Sequence, residues 1–120
     1  MTYRLDIEIN QLPTNQLNSR KHWSARLKES QQWDKLIQIH TWHLKPPAPL
    51  KKAMLTLVRY SASKMDWDNL AATWKHPVDA LVTCKIIADD SWEVIGMPVY
   101  EQKPAKRGQG KVRLIVEGIA

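Results

Sequence analysis

The run Pro46-Pro47-Ala48-Pro49 constrains this chain more than any other stretch. Prolines in series cannot continue a helix, because each lacks an amide hydrogen and its ring clashes with the preceding turn. The helical pattern ahead of the run must therefore stop, and a new element must begin after it. That pattern runs from about Arg20 to Trp42. Trp23, Leu27, Trp33, Leu36, Ile37 and His40 fall mostly on one side of it, with Lys21, Arg26, Lys28 and Lys35 elsewhere.

On the amino-terminal side, Tyr3, Leu5, Ile7 and Ile9 alternate with Arg4, Asp6, Glu8 and Asn10, the period of a half-buried strand. Gln11 to Ser19, with Pro13, Asn15 and Asn18, reads as a loop. Beyond the prolines, Lys51 to Tyr60 reads as a second strand centred on Leu55, Leu57 and Val58, and Ser61 to Lys64 as a polar connection. A helix is expected from Asn69 to about Thr83, with Leu70, Trp74, Val78, Leu81 and Val82 as its apolar stripe. Pro77 must either kink that helix or open a second one as its first residue. Trp92 to Gln102 and Lys111 to Ile119 read as two more strands, joined by a basic, glycine-containing hairpin loop over 103–110. Strand, helix, strand, helix, strand, strand points to α+β architecture, and 120 residues suit a single domain over the whole chain, 1–120.

Charge and cysteine content narrow the function classes. Eighteen Lys and Arg against twelve Asp and Glu leave a net charge of +6, which favours a polyanionic partner such as nucleic acid. One cysteine, Cys84, excludes a disulfide framework and a thiolate zinc site; its apolar setting reads as a plain buried thiol. No signal-peptide pattern opens the chain, and no apolar run approaches the roughly 20 residues of a membrane span, so a cytoplasmic protein without a membrane partner is expected. The four histidines form no metal-binding pattern. Neither a P-loop nor a nucleophile elbow is present, so no nucleotide cofactor is expected.

Against this basic background the acids of Asp66-Trp67-Asp68-Asn69 and Asp89-Asp90 stand out. If the segment is extended at Asp66 and Asp68, the two carboxylates share a face and repel, which a divalent cation relieves. With Asp90 they would offer hard oxygen ligands suited to Mg²⁺ or Mn²⁺. Taken alone, the same residues also read as a turn and a helix cap. Lys75, on one helix with Asp68, is placed to stabilise charge on a reacting phosphate, and Asp79 is either its partner one turn on or a plain exposed ion pair. Basic residues gather at Arg20, Lys21, Arg26 and Lys28, and again at Lys103, Lys106, Arg107 and Lys111, where phosphates could be tracked.

The series Asp66-x-Asp68-Asn69-Leu70, Lys75, Asp79-Ala80-Leu81 and Ile87-x-Asp89-Asp90 resembles the RusA family of Holliday junction resolvases, small endodeoxyribonucleases common in phages and prophages. Leu12-Pro13-Thr14-Asn15 followed by Arg20-Lys21-His22-Trp23 fits the same likeness, which covers nearly the whole chain. The resemblance implies one RusA-like domain, a mixed sheet of about four strands with two main helices packed on it. It implies a Mg²⁺-dependent homodimer that nicks opposed strands of four-way DNA junctions in recombination and repair. By the same analogy Asp66, Asp68 and Asp90 bind the metal, Lys75 is the catalytic lysine and Asp89 is an accessory acid. In the best-known members the lysine follows the second aspartate by about one helical turn, whereas here it follows by nearly two. The alternatives are a non-catalytic DNA-binding phage protein on the same scaffold, and a nuclease for other branched DNA such as flaps or forks.

Overall fold

The computed structural model describes residues 3–14 and 23–119. Four strands form one mixed sheet: β1 (Arg4–Ile9), β2 (Ala53–Ser61), β3 (Val99–Pro104) and β4 (Lys111–Gly118). Their order across the sheet is β1-β4-β2-β3, antiparallel at the first two junctions and parallel between β2 and β3. The helices are α1 (Trp23–Thr41), α2 (Trp67–Thr73), α3 (Lys75–Thr83) and the single turn α4 (Trp92–Ile95). The domain is α+β, with α1 and the joined α2–α3 pair as its two main helical segments.

Register explains the core. Leu5, Val116 and Leu55 lie side by side across β1, β4 and β2, and Ile7, Leu114 and Leu57 form the next row. All six are buried, because alternation sends every second side chain to the covered face. A third row runs Ile9, Val112, Arg59, so an arginine takes a core-facing position at the end of the sheet. Arg59 is 8% exposed, and its guanidinium donates to the Ser63 carbonyl at 2.9 Å. The opposite face is largely charged. Asp6 on β1 receives two hydrogen bonds from the Arg113 guanidinium, at 2.8 and 2.6 Å, and they hold its carboxyl below the usual carboxylate range.

α1 packs against α3 and β1 through Trp33, Ile37 and Thr41. Its first turns do not reach the core: Trp23 is 69% exposed and Leu27 49%, contrary to the single apolar stripe expected from Trp23 onward. Helical phase alone put them on the buried side, but the buried residues of α1 begin only at Trp33. Arg20 and Lys21 lie outside the described residues.

Three further expectations need correcting. The helix expected over Asn69–Thr83 begins at Trp67 and breaks at Trp74, three residues ahead of Pro77. Pro77 then falls in the first turn of α3, where a missing amide hydrogen leaves no helical bond unmade. Trp92–Ile95 is a helical turn, ended by Gly96 at φ +55°, and the strand begins only at Val99. The 105–110 segment is not a hairpin loop, because β3 pairs parallel to β2 and β4 lies on β2's other side. The segment crosses over the carboxyl end of β2, with the Ala105 amide donating to the Ser61 carbonyl.

Cys84 is buried, as expected, and burial pushes its thiol above the usual range. Among the described residues no helix is long and apolar enough to cross a membrane.

Candidate functional site

The acidic motif begins where β2 ends. Ser61 to Met65 cross from the sheet to α2, and Asp66 is the last extended residue (φ −64°, ψ 157°), at the helix N-cap. Asp68 already lies in the first helical turn, so the two carboxylates do not share a strand face, and the premise of an extended Asp66-x-Asp68 pair does not hold. The reason is local: α2 starts two residues earlier than the pattern predicts, with Leu70 donating its amide to the Asp66 carbonyl. The Asp66 carboxylate makes no capping hydrogen bond, although N-cap aspartates usually do so. Asp66 and Asp68 are both exposed.

The helix break at Trp74 places Lys75 at the start of α3. The Lys75 ammonium lies 3.4 Å from the Asp79 carboxylate, one turn further along. Asp90 arrives from a different part of the chain. After α3, Lys85 adopts a left-handed conformation at φ 62°, with its amide bonded to the Val82 carbonyl and the Ile86 amide to the Leu81 carbonyl. These bonds close the helix in a Schellman turn, usually made with glycine. The chain then runs beside Leu50, exchanging hydrogen bonds from Leu50 N to Ile86 O and from Ala88 N to Leu50 O, both 2.9 Å. That bridge fixes the stem of Asp89-Asp90.

Lys75, Asp79 and Asp90 line one cavity of about 220 Å³, together with Ala71, Trp74 and Tyr100. The Asp90 carboxyl is raised above the usual range by burial first, then by the neighbouring Asp79 and Asp89. Burial also raises the Tyr100 phenol. The Trp74 indole nitrogen is buried without a hydrogen-bond partner. Asp66, Asp68 and Asp89 do not line the cavity. Asp68 stands three residues before Ala71, a spacing that places the two near one side of α2, about one turn apart. Among the described residues, no three His, Cys, Asp or Glu side chains gather closely enough to hold a metal ion. The structure thus brings Lys75, Asp79 and Asp90 together and leaves Asp66 and Asp68 beyond the cavity. Tyr100 and Trp74 are additions; the tryptophan lay on an apolar stripe, and nothing in the tyrosine's neighbourhood in sequence marked it.

The basic residues divide. Lys103, Lys106 and Arg107 are exposed, whereas Lys111 pairs with Glu8 at 3.2 Å and sits 5.0 Å from the Tyr60 ring centroid. Lys106 lines two neighbouring surface hollows. One contains Asn10, Tyr60 and Lys111, and the other contains Ser61, Ser63 and Arg107. The crossover segment therefore borders the connection that leads to Asp66. Gly110 in this segment lies so near Leu12 that a Cβ there would fall 2.5 Å from a leucine methyl, so only glycine fits without movement. Arg26 is exposed on the first turn of α1.

Comparison with models of known protein families found no match, and comparison with curated proteins found none either.

Proposed function

We propose that this chain is a metal-dependent, structure-specific endodeoxyribonuclease that acts on four-way DNA junctions as a homodimer in the cytoplasm. The observation that carries the reading is the shared cavity of Lys75, Asp79 and Asp90, a cation and two carboxylates beside an acidic helix start. The exposed Lys103, Lys106 and Arg107 supply positive charge for a DNA backbone. The motif order that resembles the RusA family agrees with both. A two-fold dimer suits a junction whose opposed strands are related by the same symmetry.

The donor chemistry, carboxylates throughout, suits a hard divalent cation such as Mg²⁺, with Mn²⁺ as a substitute, but Asp66 and Asp68 stand outside the cavity that Asp90 lines, and among the described residues no three such side chains converge. Every candidate ligand is a carboxylate, and the raised proton affinity of Asp90 beside Asp79 marks negative charge that a cation would neutralise. By the resemblance Asp66, Asp68 and Asp90 would hold it, which requires α2 and the Asp89-Asp90 segment to come closer than they stand here, and when bound it would polarise the phosphodiester and lower the pKa of a water. The protein's own groups have separate tasks. Lys75 offers its ammonium to the charge that builds on the phosphate oxygens, and Asp79 holds that ammonium in place from one turn away.

A second reading, a DNA-binding protein without catalysis, is favoured by one observation: among the described residues no three acidic side chains converge. Four-way junctions, flaps and forks, each incubated with and without Mg²⁺, separate the readings. A resolvase makes paired symmetric nicks in the four-way junction only, and Asp68→Asn abolishes them while binding persists. Nicking confined to flaps or forks would move the assignment to another branched substrate. Binding without any Mg²⁺-dependent nicking would establish the non-catalytic reading.

A further inference from the structure

The connection between β2 and α2 is held in two places by adjacent strands. Arg59 on β2 and Gln102 on β3 are register partners. Arg59 donates to the Ser63 carbonyl at 2.9 Å. Gln102 uses both ends of its side-chain amide on one residue: its Nε2 donates to the Met65 carbonyl, and its Oε1 accepts from the Met65 amide, each at 2.9 Å. A side-chain amide thus pairs with Met65 much as a neighbouring strand would. Met65 immediately precedes Asp66, and Asp66 is a helix N-cap whose own side chain does not anchor it.

We propose that Gln102 is the positioning residue of the acidic motif, setting where Asp66 and the first turn of α2 stand relative to Lys75 and Asp90. Arg59 supports it from the adjoining strand. This inference rests on the nuclease reading for its consequence, but not for its geometry. Gln102 is followed directly by Lys103 and the basic crossover, so one strand carries both the motif's clamp and the start of the DNA-facing loop. A backbone clamp of this kind matters because a displacement of about 1 Å of a reacting group is enough to lower a rate roughly a hundredfold. Ala62 to Met65 contain no regular structure of their own, so on the sheet side Asp66 is fixed through these contacts.

The test compares the full-length wild type with Gln102→Met, which keeps length and loses both hydrogen bonds, and with Gln102→Glu. Amide hydrogen exchange at Met65 should accelerate at least about tenfold in Gln102→Met; unchanged exchange overturns the clamp. On four-way junctions, kcat should fall at least about tenfold while KM stays within about twofold, because the basic crossover is untouched. An unchanged kcat with an active wild type overturns the positioning role, and a rise in KM alone does the same.

Gln102→Glu supplies a signature that general destabilisation lacks. When protonated, the carboxyl has both a donor and an acceptor and can restore the pair; when ionised, it repels the Met65 carbonyl. The ratio of its kcat to that of wild type should climb several-fold as pH falls from about 8 to about 5.5, toward the glutamic acid range. A flat ratio overturns the proposal, and this arm decides the matter should Gln102→Met not fold. A wild type that never cuts DNA sinks the nuclease reading alone; exchange at Met65 then decides whether the clamp exists.

Discussion

The Lys75 ammonium stands 3.4 Å from the Asp79 carboxylate, and the negative charge of the same aspartate acts on Asp90 from beyond α3. Asp79 therefore links the lysine to the second acidic pair. The break between α2 and α3 falls at Trp74 and not at Pro77.

Lys75→Met should slow junction cleavage by about a hundredfold or more, the scale expected for removing one charge-stabilising group. Its effect on stability should be no more than about 1 kcal/mol, because the lysine is mostly exposed and its ion pair is solvated. Cleavage rates and chemical denaturation of the same preparation check both halves. A large stability loss with unchanged cleavage would recast Lys75 as structural.

Asp90→Asn carries a pH signature. A carboxyl raised above its unfolded value contributes stability that is fully present below the unfolded value and is lost as pH rises through the folded one. Removing the ionisable group should therefore raise Tm at pH 7, and the difference should shrink below about pH 4, near the unfolded value. Thermal melts of both proteins across that range provide the check. A lower Tm at pH 7 would contradict the assigned direction.

The double substitution Lys106→Ala with Arg107→Ala should weaken junction binding and flatten its salt dependence by about two units in the logarithmic slope, one per lost phosphate contact. Folding should be unaffected, since both side chains are exposed on the crossover. Titrations at several salt concentrations give the slope. An unchanged slope would remove this segment from the interface.

Lys85→Gly should stabilise the protein. Lys85 holds φ 62° at the end of α3, a conformation that costs a side-chain-bearing residue about 1–2 kcal/mol. The greater freedom of glycine in the unfolded chain offsets about 0.4–1 kcal/mol of that, so a net gain of about 0.5–1 kcal/mol is expected. Denaturation midpoints measure it. Destabilisation would show that the lysine side chain makes a contribution larger than its backbone strain.

What the sequence determined by itself was local or periodic. Alternation over Tyr3–Ile9 marked β1, since one side of a strand must be apolar to be buried. The prolines at 46–49 separated α1 from β2, and the stripe of Leu70, Trp74 and Leu81 marked the buried side of α2 and α3. Asp79-Ala80-Leu81 and Asp89-Asp90 could be singled out because acids are conspicuous in a basic chain. The short apolar run Trp92–Ile95 was ambiguous, as four residues do not distinguish a strand from one helical turn.

Only the tertiary structure decided which distant segments meet. Parallel pairing of β3 with β2 is a long-range choice, made by burial of whole rows and not by the residues of the crossover, so a hairpin was the natural but mistaken local reading. The same pairing puts Gln102 beside Arg59 and both against the Ser63–Met65 connection. It also explains why Lys111, one of a basic group in sequence, is engaged by Glu8 and Tyr60 while Lys106 and Arg107 are exposed. Spacing along a chain shows which side chains share an element; the distance between Asp79 and Asp90, on separate segments, is set by how those segments pack.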